Sequence, residues 1–299
     1  MKDFPAEGLV LGVETSCDES AAAVVAAGRE LRSNVIASQV ATHRKFGGVV
    51  PEVASRKHLE TIIPVVDAAL SEAGVGLGDL AGIAVTYGPG LVGSLLVGVS
   101  TAKALALALG LPLVGVNHVE AHIYANFLQE PDLEPPLVCL TVSGGHTALF
   151  HLPEYGRYVL LGRTRDDAAG EALDKVARVL GLGYPGGPAL ERLAEGGDRE
   201  AVPLPRGLSG EETLDFSFSG LKTAALSYLN TVRQREGGLP PRVARDLAAS
   251  LQWAVVDVLA GRAVAAARRS GVRTLLVSGG VAANGVLRAE VQRRGVEAG

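Results

Sequence analysis

The sequence predicts an α/β protein built from two similar domains, and three observations lead to this fold class. The chain has 299 residues, more than most single hydrophobic cores use. Apolar strand-like segments alternate with longer helix-like segments. Two segments, residues 9–26 and 137–152, share one pattern: an apolar strand, a turn of small and polar residues, and a second apolar strand. Such a repeated hairpin indicates that one α/β domain is duplicated.

In the first half, the hairpin at residues 9–26 is followed by a series of shorter elements. We expect a strand at 30–40, a loop at 43–58 and a helix through 59–74. This helix would start near Pro51 and bend at Pro64. After it we expect a strand at 82–87, a Gly-Pro-Gly turn, a helix at 91–109, a strand at 112–116 and a helix from about Asn117. The acidic, proline-rich segment 130–136 reads as a linker, so the predicted domains are residues 1–130 and 131–299.

The second half begins with its own hairpin and is richer in helices. We expect strands near 137–142, 147–152 and 157–163, helices near 169–181, 187–196, 219–230 and 241–270, an irregular polar insertion at 198–216, and a closing strand, Gly-Gly turn and helix within 274–291.

The composition is typical of a globular protein with a sizeable core, since 47% of residues are hydrophobic and 20% are charged. The net charge is −4, whereas a nucleic-acid-binding protein usually has a basic excess. An RNA partner would therefore have to contact local basic patches or bind with the help of other subunits. The candidate patches, each of which also fits an ordinary solvated face, are Arg56–Lys57, Arg163 with Arg165, Arg268–Arg269 and Arg293–Arg294.

Three features favour a cytoplasmic protein without a membrane segment. Cys17 and Cys139 are far apart and form no CxxC motif, which argues against a disulfide framework. The first ten residues lack the continuous apolar run of a signal peptide. Residues 91–111 carry a single charge, Lys103, but glycine and proline turns bound them at both ends. We therefore expect a helix buried between the sheet and its neighbours rather than a membrane span.

His118 and His122 are the strongest candidates for a metal site. Four residues apart on a helix, they share one face and could bind the same ion. The alternative is a pair of capping or packing histidines. Glu120 lies two residues after His118, on roughly the opposite side of the helix, whereas the zinc-protease motif places its catalytic glutamate directly after the first histidine. This spacing disfavours a metalloendopeptidase.

Polar residues in the turns provide further candidates. Asp18 and Glu19, in the first hairpin turn, could hold a water, a metal or a substrate amine, although a solvated turn explains them equally well. The second hairpin turn has glycines whose N–H groups could approach an anion. The early carboxylates of the helix that begins near residue 166 suit its positive end, whereas Asp174 lies farther in, one turn past Gly170, and could accept hydrogen bonds from ribose hydroxyls. The remaining candidates, each also explained as an ordinary turn residue, are Gly187, which lets a base or ribose approach the backbone, and Asn284, at the junction of a strand and a helix.

Eight runs occur in an order that resembles a known family, the universal tRNA threonylcarbamoyladenosine synthases. They are LGVETSCDES, GGVVPEVASRKH, TYGPGLVGSLLVG, NHVEAHIYA, TVSGGHTAL, DDAAGEALDKVARVLGLGYPGGP, LDFSFSGLKTA and SGGVAANGVLR. Each run alone is weak evidence, but together they cover nearly the whole chain and are specific.

The resemblance implies a fold, a reaction and a set of partners. The fold would be actin-like and hexokinase-like (the ASKHA class), with two duplicated domains and a cleft between them. The substrate would be threonylcarbamoyl-AMP, a mixed anhydride, and the acceptor would be the exocyclic amine of the adenosine next to the anticodon in tRNAs that read codons starting with A. The implied partners are a shorter paralogous subunit and a small ATPase, and helix 51–74 is the candidate docking surface.

The resemblance also assigns roles to individual residues. His118 and His122 would bind one divalent metal ion, iron or zinc. Asp18 and Glu19 would face the reacting end of the substrate. The adenylate would be bound by Thr141, Val142, Ser143, Gly144 and Gly145, and its ribose and base by Asp174, Gly187 and Asn284.

The sequence departs from the family pattern in one respect. The family has a third metal ligand, an aspartate, in a segment after the helix that contains Asn284, and the sequence ends at Gly299 before such a segment. We therefore expect either a truncated form or a metal site completed by water or substrate.

Three other functions compete with the transferase. A kinase or ATPase of the same fold would bind ATP with Mg²⁺ and would not need paired histidines on a helix. The paired histidines argue against a non-catalytic scaffold paralogue. The absence of the family's third metal ligand, an aspartate, argues for one. A metalloendopeptidase is disfavoured by the position of Glu120.

Overall fold

A computed structural model describes residues 8–299 of the chain. The expectation that the start of the chain is not a signal peptide falls mainly on residues 1–7 and so lies outside the described residues. Contacts between Cα atoms divide the chain into two compact units, Met1–Leu133 and Glu134–Gly299. Each unit contains one sheet with its own helices and its own hydrophobic core.

The first unit contains a five-stranded mixed sheet. Its strands are β1 (Leu9–Glu14), β2 (Glu19–Ala26), β3 (Glu30–Ser38), β4 (Leu80–Gly88) and β5 (Leu113–Asn117), in the order β3-β2-β1-β4-β5. The predicted hairpin is confirmed, since β1 pairs antiparallel with β2. β1 also pairs in parallel with β4, which places the carboxyl ends of these two strands at the same edge of the sheet.

The helices of the first unit agree with the predicted pattern except near residue 40. They are α1 (Val40–His43), α2 (Pro51–Ala73), α3 (Val92–Leu109) and α4 (His118–Gln129), with 3₁₀ turns at Arg44–Phe46 and Leu77–Asp79. The strand predicted at 30–40 ends at Ser38, and the later part of the predicted loop 43–58 belongs to α2. Proline at the first helical position fixes the start of α2, and Gly74, with φ 68°, ends it.

The expectation that the helix after residue 91 is buried is wrong for most of its side chains. The residues of α3 that are buried are small: Ser94, Gly98, Ala102 and Ala106. Leu96 and Leu107, by contrast, are 60% and 85% exposed. The four-residue spacing of the small side chains forms one narrow face that packs closely on the sheet, so Leu96 and Leu107 point away from it.

The second unit repeats the strand pattern of the first. Its strands are β6 (Leu137–Val142), β7 (Thr147–Glu154), β8 (Arg157–Arg163) and β9 (Leu275–Ser278), in the order β8-β7-β6-β9. β6 pairs antiparallel with β7 and parallel with β9, as β1 does with β2 and β4. All six residues of β6 are buried, which is typical of a central strand covered on both faces.

Five helices and an irregular segment complete the second unit. The helices are α5 (Ala169–Val179), α6 (Gly186–Ala194), α7 (Ser219–Glu236), α8 (Pro241–Ser270) and α9 (Gly285–Ala298), with a 3₁₀ turn at Gly280–Ala283. The predicted insertion at 198–216 contains no helix or strand. Arg262 on α8 holds this segment in place. Its guanidinium donates hydrogen bonds to the carbonyls of Gly207, Leu208, Thr213 and Asp215.

Two helices among residues 8–299, α3 and α8, have the length and composition of a membrane span. The core helix of a globular domain can have the same properties. This explanation suits α8, because 67% of its most apolar 18-residue segment is buried in the protein. The corresponding fraction for α3 is 22%.

A network of charged side chains attaches α9 to α8. Glu290 is almost buried and accepts hydrogen bonds from Arg293 and Arg294, and Arg294 also pairs with Asp257 on α8. The guanidinium of Arg293, followed by that of Arg294, holds the pKa of Glu290 at about 2 against an ordinary value of 4.5. Because the folded state lowers this pKa, the ionised carboxylate stabilises the fold above about pH 4.5, and the contribution is lost as the pH falls toward 2.

We predict that Glu290→Gln lowers the free energy of unfolding of the second unit by about 1–2 kcal/mol at pH 7, between the values typical of exposed and buried ion pairs. The difference from wild type should be smaller at pH 3. Denaturant titrations followed by the fluorescence of Trp253, the single tryptophan of the chain, measure it. Glu297→Gln, at a 62% exposed partner of Arg293, is the control and should change stability little. Equal losses in both variants, or no pH dependence, would contradict the prediction.

Candidate functional site

In the first unit, the turn between β1 and β2 is held against the start of α3. The carbonyl of Ser16 accepts a hydrogen bond from the Leu91 N–H at 2.8 Å. Gly90 permits this approach, since a Cβ there would lie 2.5 Å from the same oxygen. The Thr15 hydroxyl donates to the carbonyl of Ser94 at 2.8 Å. Contacts with Gly90 and the start of α3 therefore hold the hairpin turn in place.

The same turn is also held by α2. His58 is fully buried, and its Nε2 and Nδ1 lie 3.0 Å from the Cys17 carbonyl and 2.7 Å from the Ser20 hydroxyl. Asp18 is half-buried, and its carbonyl accepts from the Gln39 N–H at 2.9 Å. Glu19 is the first residue of β2 and is exposed. The two candidate catalytic carboxylates thus lie on a turn whose backbone is held from several sides.

His118 and His122 lie together on the first turns of α4. Their ring centroids are 4.5 Å apart and the ring planes meet at 72°. Asn117 sets the start of the helix, because its side-chain oxygen accepts from the Val119 and Glu120 N–H groups. Glu120 occupies the first turn, where the helix dipole favours an acidic residue. The structure thus brings the two imidazoles together.

Glu14, at the end of β1, was not among the predicted site residues, and it contacts this pair. Its Oε2 lies 3.1 Å from Nδ1 of His118 and accepts from the Thr86 hydroxyl at 2.6 Å, while its Oε1 accepts from the Ser16 N–H. Burial alone would raise the pKa of this carboxyl, but hydrogen bonds from His118, Ser16 and Thr86 lower it to about 2. The sequence signal that could have identified Glu14 as a site residue is its place as a carboxylate at the end of an apolar strand.

These donors suit a transition metal only in part. Imidazole nitrogens bind zinc and iron well. A catalytic zinc site usually has three protein ligands, yet no group of three or more His, Cys, Asp or Glu side chains suited to a metal occurs within residues 8–299. His118 and His122 can therefore provide two ligands, and the other positions would need water or substrate oxygens.

In the second unit, the turn between β6 and β7 is compact and exposes glycine backbone. The Ser143 N–H donates to the His146 carbonyl at 2.8 Å, and the Ser143 hydroxyl accepts from the His146 N–H at 3.0 Å. Gly144 and Gly145 are exposed, whereas Thr141 and Val142 are buried in β6. Within the predicted adenylate-binding run, Gly144 and Gly145 therefore present an open backbone, whereas the N–H and the carbonyl of Ser143 are both hydrogen-bonded within the protein.

Gly279 is the counterpart of Gly90 in the second unit. It follows β9, has a φ of +89°, and a Cβ there would lie 2.5 Å from the Val142 carbonyl oxygen. The hydroxyls of Thr141 and Ser278 are 3.2 Å apart across the parallel pair. Buried Thr141 thus links the ends of β6 and β9 rather than presenting its hydroxyl at the surface.

Hydrogen bonds join the other predicted adenylate residues into one region. Oδ1 of Asp174 accepts from the Gly186 and Gly187 N–H groups at 2.9 and 3.1 Å, which caps α6. Glu191 of α6 then accepts from the Gly285 N–H at 2.8 Å. Asn284 caps α9, since its side-chain oxygen accepts from the Leu287 N–H at 2.9 Å. Asp174 and Asn284 therefore each use one oxygen to hold a helix terminus.

Most of the candidate basic patches are neutralised by carboxylates. Arg56 pairs with Glu52, and Arg165 pairs with Asp215 and Glu211. These pairs agree with ordinary solvated faces. They give no support to a basic RNA-binding surface at these positions.

A model of one family, tRNA N6-adenosine threonylcarbamoyltransferase (TsaD), matches residues 30–299. The chain belongs to this family. Among curated relatives of the same name, the protein of Symbiobacterium thermophilum is 62% identical over 286 residues, which cover 96% of this chain and 82% of the relative. That of Moorella thermoacetica is 55% identical over 300 residues, covering 100% of this chain and 86% of the relative. The predicted family and its transferase class are confirmed, and the kinase, scaffold and peptidase alternatives gain no support.

Solved structures show the fold alone. HypF from T. kodakarensis aligns with a TM-score of 0.64 at 17% identity, over 99% of this chain and 45% of that chain. Component A of (R)-2-hydroxyglutaryl-CoA dehydratase from Acidaminococcus fermentans aligns with a TM-score of 0.54 at 16% identity, over 96% and 88%. These likenesses confirm the predicted actin-like, hexokinase-like α/β class for this threonylcarbamoyltransferase family member. The roles of individual site residues stay predictions.

We predict that Gly279→Ala lowers the free energy of unfolding by about 2 kcal/mol, because alanine is strained at positive φ and its Cβ meets the Val142 carbonyl. For a unit of this size the melting temperature should fall by about 4–8 °C. Thermal unfolding followed at Trp253 measures it. Gly280→Ala is the matched control, since a Cβ there meets nothing within 4 Å. A Gly279→Ala protein as stable as this control would show that the contact is unimportant.

Proposed function

We propose that this chain transfers the threonylcarbamoyl group of threonylcarbamoyl-AMP to the exocyclic amine of the adenosine next to the anticodon, in tRNAs that read codons starting with A. Membership of the threonylcarbamoyltransferase family supports the reaction. The observation that carries the site assignment is the close contact of His118 and His122 on one face of α4.

The reaction needs no covalent enzyme intermediate, because the mixed anhydride is already activated. The adenosine amine attacks the carbamoyl carbon, a C–N bond forms, and the C–O bond to phosphate breaks, so that AMP leaves with the electron pair. Asp18 and Glu19 are the candidates for orienting the amine and accepting its proton. The turn that carries them is held by Gln39 and His58, which favours a fixed position for both carboxylates.

The second unit would bind the AMP portion. The exposed backbone of Gly144 and Gly145 would donate N–H groups to phosphate oxygens, as glycine-rich turns do for anions, while Ser143 holds the turn through its bonds to His146. Asp174 and Asn284 would contact the ribose and base, beside Gly187. The hydrogen bonds that link α5, α6 and α9 would keep these groups in register.

His118 and His122 would hold one divalent ion, iron or zinc, with the remaining positions open to water or substrate. When bound, such an ion supplies Lewis-acid chemistry at a substrate oxygen. The side-chain contacts of His118 with Glu14 and Ser16 fix its ring whether or not an ion is bound.

The further partners would be a shorter paralogous subunit and a small ATPase, in the cytoplasm. A surface groove of about 420 Å³ between α2 and α3 supports a docking site on the first unit. Its lining includes Leu59, Ile63 and Leu96, which are 67%, 50% and 60% exposed. Exposed apolar side chains gathered in this way usually mark a protein-binding surface. We assign this surface to the paralogous subunit.

We predict that His118→Ala abolishes modification, since loss of a ligand should exceed the roughly 10–100-fold effect of losing an outer-shell partner. The assay combines this chain, its partner subunits and the enzyme that makes threonylcarbamoyl-AMP with radiolabelled threonine, bicarbonate, ATP and unmodified tRNA, alongside metal analysis of the protein. Glu120→Gln, on the same helix turn, is the control and should retain both metal and activity. An active His118→Ala protein would remove the metal from the mechanism.

For the docking surface, we predict that Leu59→Asp weakens binding of the paralogous subunit by about tenfold or more, because a charge would be buried in an apolar contact. Isothermal titration calorimetry of the two purified subunits measures the change. The control is Val296→Asp, at an aliphatic position on α9 of the second unit that is 78% exposed, against 67% for Leu59. Equal affinities for the two variants would place the docking surface elsewhere.

A further inference from the structure

We infer that Glu14 is a positioning residue for the metal site: its carboxylate fixes the His118 ring in the tautomer that carries its proton on Nδ1, so that the lone pair for a metal lies on Nε2. This inference rests on the proposed role of His118 as a ligand. It assigns a role to a side chain that is not itself a ligand in the proposed site.

The geometry places the carboxylate on the correct ring nitrogen. Oε2 of Glu14 is 3.1 Å from Nδ1 of His118, and the Ser16 hydroxyl is 3.1 Å from the same nitrogen. Both contacts thus involve the nitrogen nearer the backbone. The pair is partly screened from solvent, with 31% of the Glu14 side chain and 19% of the His118 side chain exposed.

An ionised carboxylate can only accept hydrogen bonds. In the 3.1 Å contact between Oε2 of Glu14 and Nδ1 of His118 the imidazole must therefore be the donor. In a neutral ring the other nitrogen, Nε2, then has the lone pair. Metal-binding histidines commonly donate their second N–H to a carboxylate in this way, and such partners both orient the ring and make it more basic.

The carboxylate cannot easily turn away from the ring. The Thr86 hydroxyl donates to the same Oε2 at 2.6 Å, and the Ser16 N–H donates to Oε1. Glu14 itself lies at the end of β1, in register with Ala21 of β2. Two strands and one turn therefore determine the orientation of the carboxylate, and through it the orientation of His118 on α4.

A purely structural role for Glu14 would produce different results. If Glu14 served only to join β1 to α4, its replacement would lower stability without changing the tautomer of His118 or its metal affinity. Glutamine keeps the shape of the side chain, but its amide can present an N–H to Nδ1. That contact would favour the opposite tautomer, with the proton on Nε2, where it blocks metal binding.

The first test uses the unaltered, metal-free chain labelled with ¹⁵N-histidine, whose His118 signals are assigned by their loss in His118→Ala. Long-range ¹H–¹⁵N spectra should show His118 as the Nδ1–H tautomer. Observation of the Nε2–H tautomer in the wild-type protein would overturn the inference without any variant at Glu14.

The second test titrates Zn²⁺ into the wild-type, Glu14→Gln, Thr86→Val and His118→Ala proteins by calorimetry. We expect Glu14→Gln to weaken Zn²⁺ binding by about 10–100-fold. Thr86→Val, which removes the hydroxyl that holds Oε2, should have a smaller effect in the same direction. Circular dichroism verifies folding, and Thr86→Val together with the wild-type spectrum decides the question if Glu14→Gln does not fold.

The outcomes separate this inference from the proposed function. If His118→Ala binds Zn²⁺ as well as wild type, the proposed metal site is wrong. If His118→Ala loses binding while folded Glu14→Gln keeps wild-type affinity and tautomer, the metal site stands and the role of Glu14 is refuted. A weaker affinity together with a shifted tautomer in Glu14→Gln supports both.

Discussion

The parallel pairing of a hairpin's first strand with a later strand is the constraint on which the site residues depend. In the first unit β1 pairs with β4, and in the second β6 pairs with β9. Each pairing brings the hairpin turn beside the glycine that follows the later strand. Gly90 lies against the Ser16 carbonyl, and Gly279 lies against the Val142 carbonyl, each with a distance of 2.5 Å for a hypothetical Cβ. The duplicated architecture thus repeats one close backbone contact at each hairpin.

The two units use this common arrangement for different chemistry. In the first, the turn lies beside side chains that can bind cations or accept protons, namely Glu14, Asp18 and the two histidines of α4. In the second, the corresponding turn exposes glycine N–H groups, which suit an anion. Because the strands are alike, the difference arises from the few residues that follow each strand.

Much of the fold could be predicted from the sequence, because hairpins and amphipathic helices leave periodic patterns. The exposure of α3 could not be predicted, since apolar composition does not reveal that its fully buried residues are all small. The contact of Glu14 with His118 was also missed, because the two residues are 104 positions apart and belong to different elements. Only the pairing of β1 with β4, and the placement of α4 after β5, brings them together.

Asp174 and Asn284, which we propose as ligand-binding residues, also serve the fold. Each gives one side-chain oxygen to the N-terminus of a helix, α6 or α9. Loss of an N-terminal cap typically costs about 1 kcal/mol. An alanine scan of this region would therefore combine two effects in one number, and a fall in turnover at either position would overstate the proposed contact with the nucleotide. To separate the effect on helix capping from the effect on nucleotide binding, a substitution must keep the oxygen that caps the helix and change only the other polar atom of the side chain.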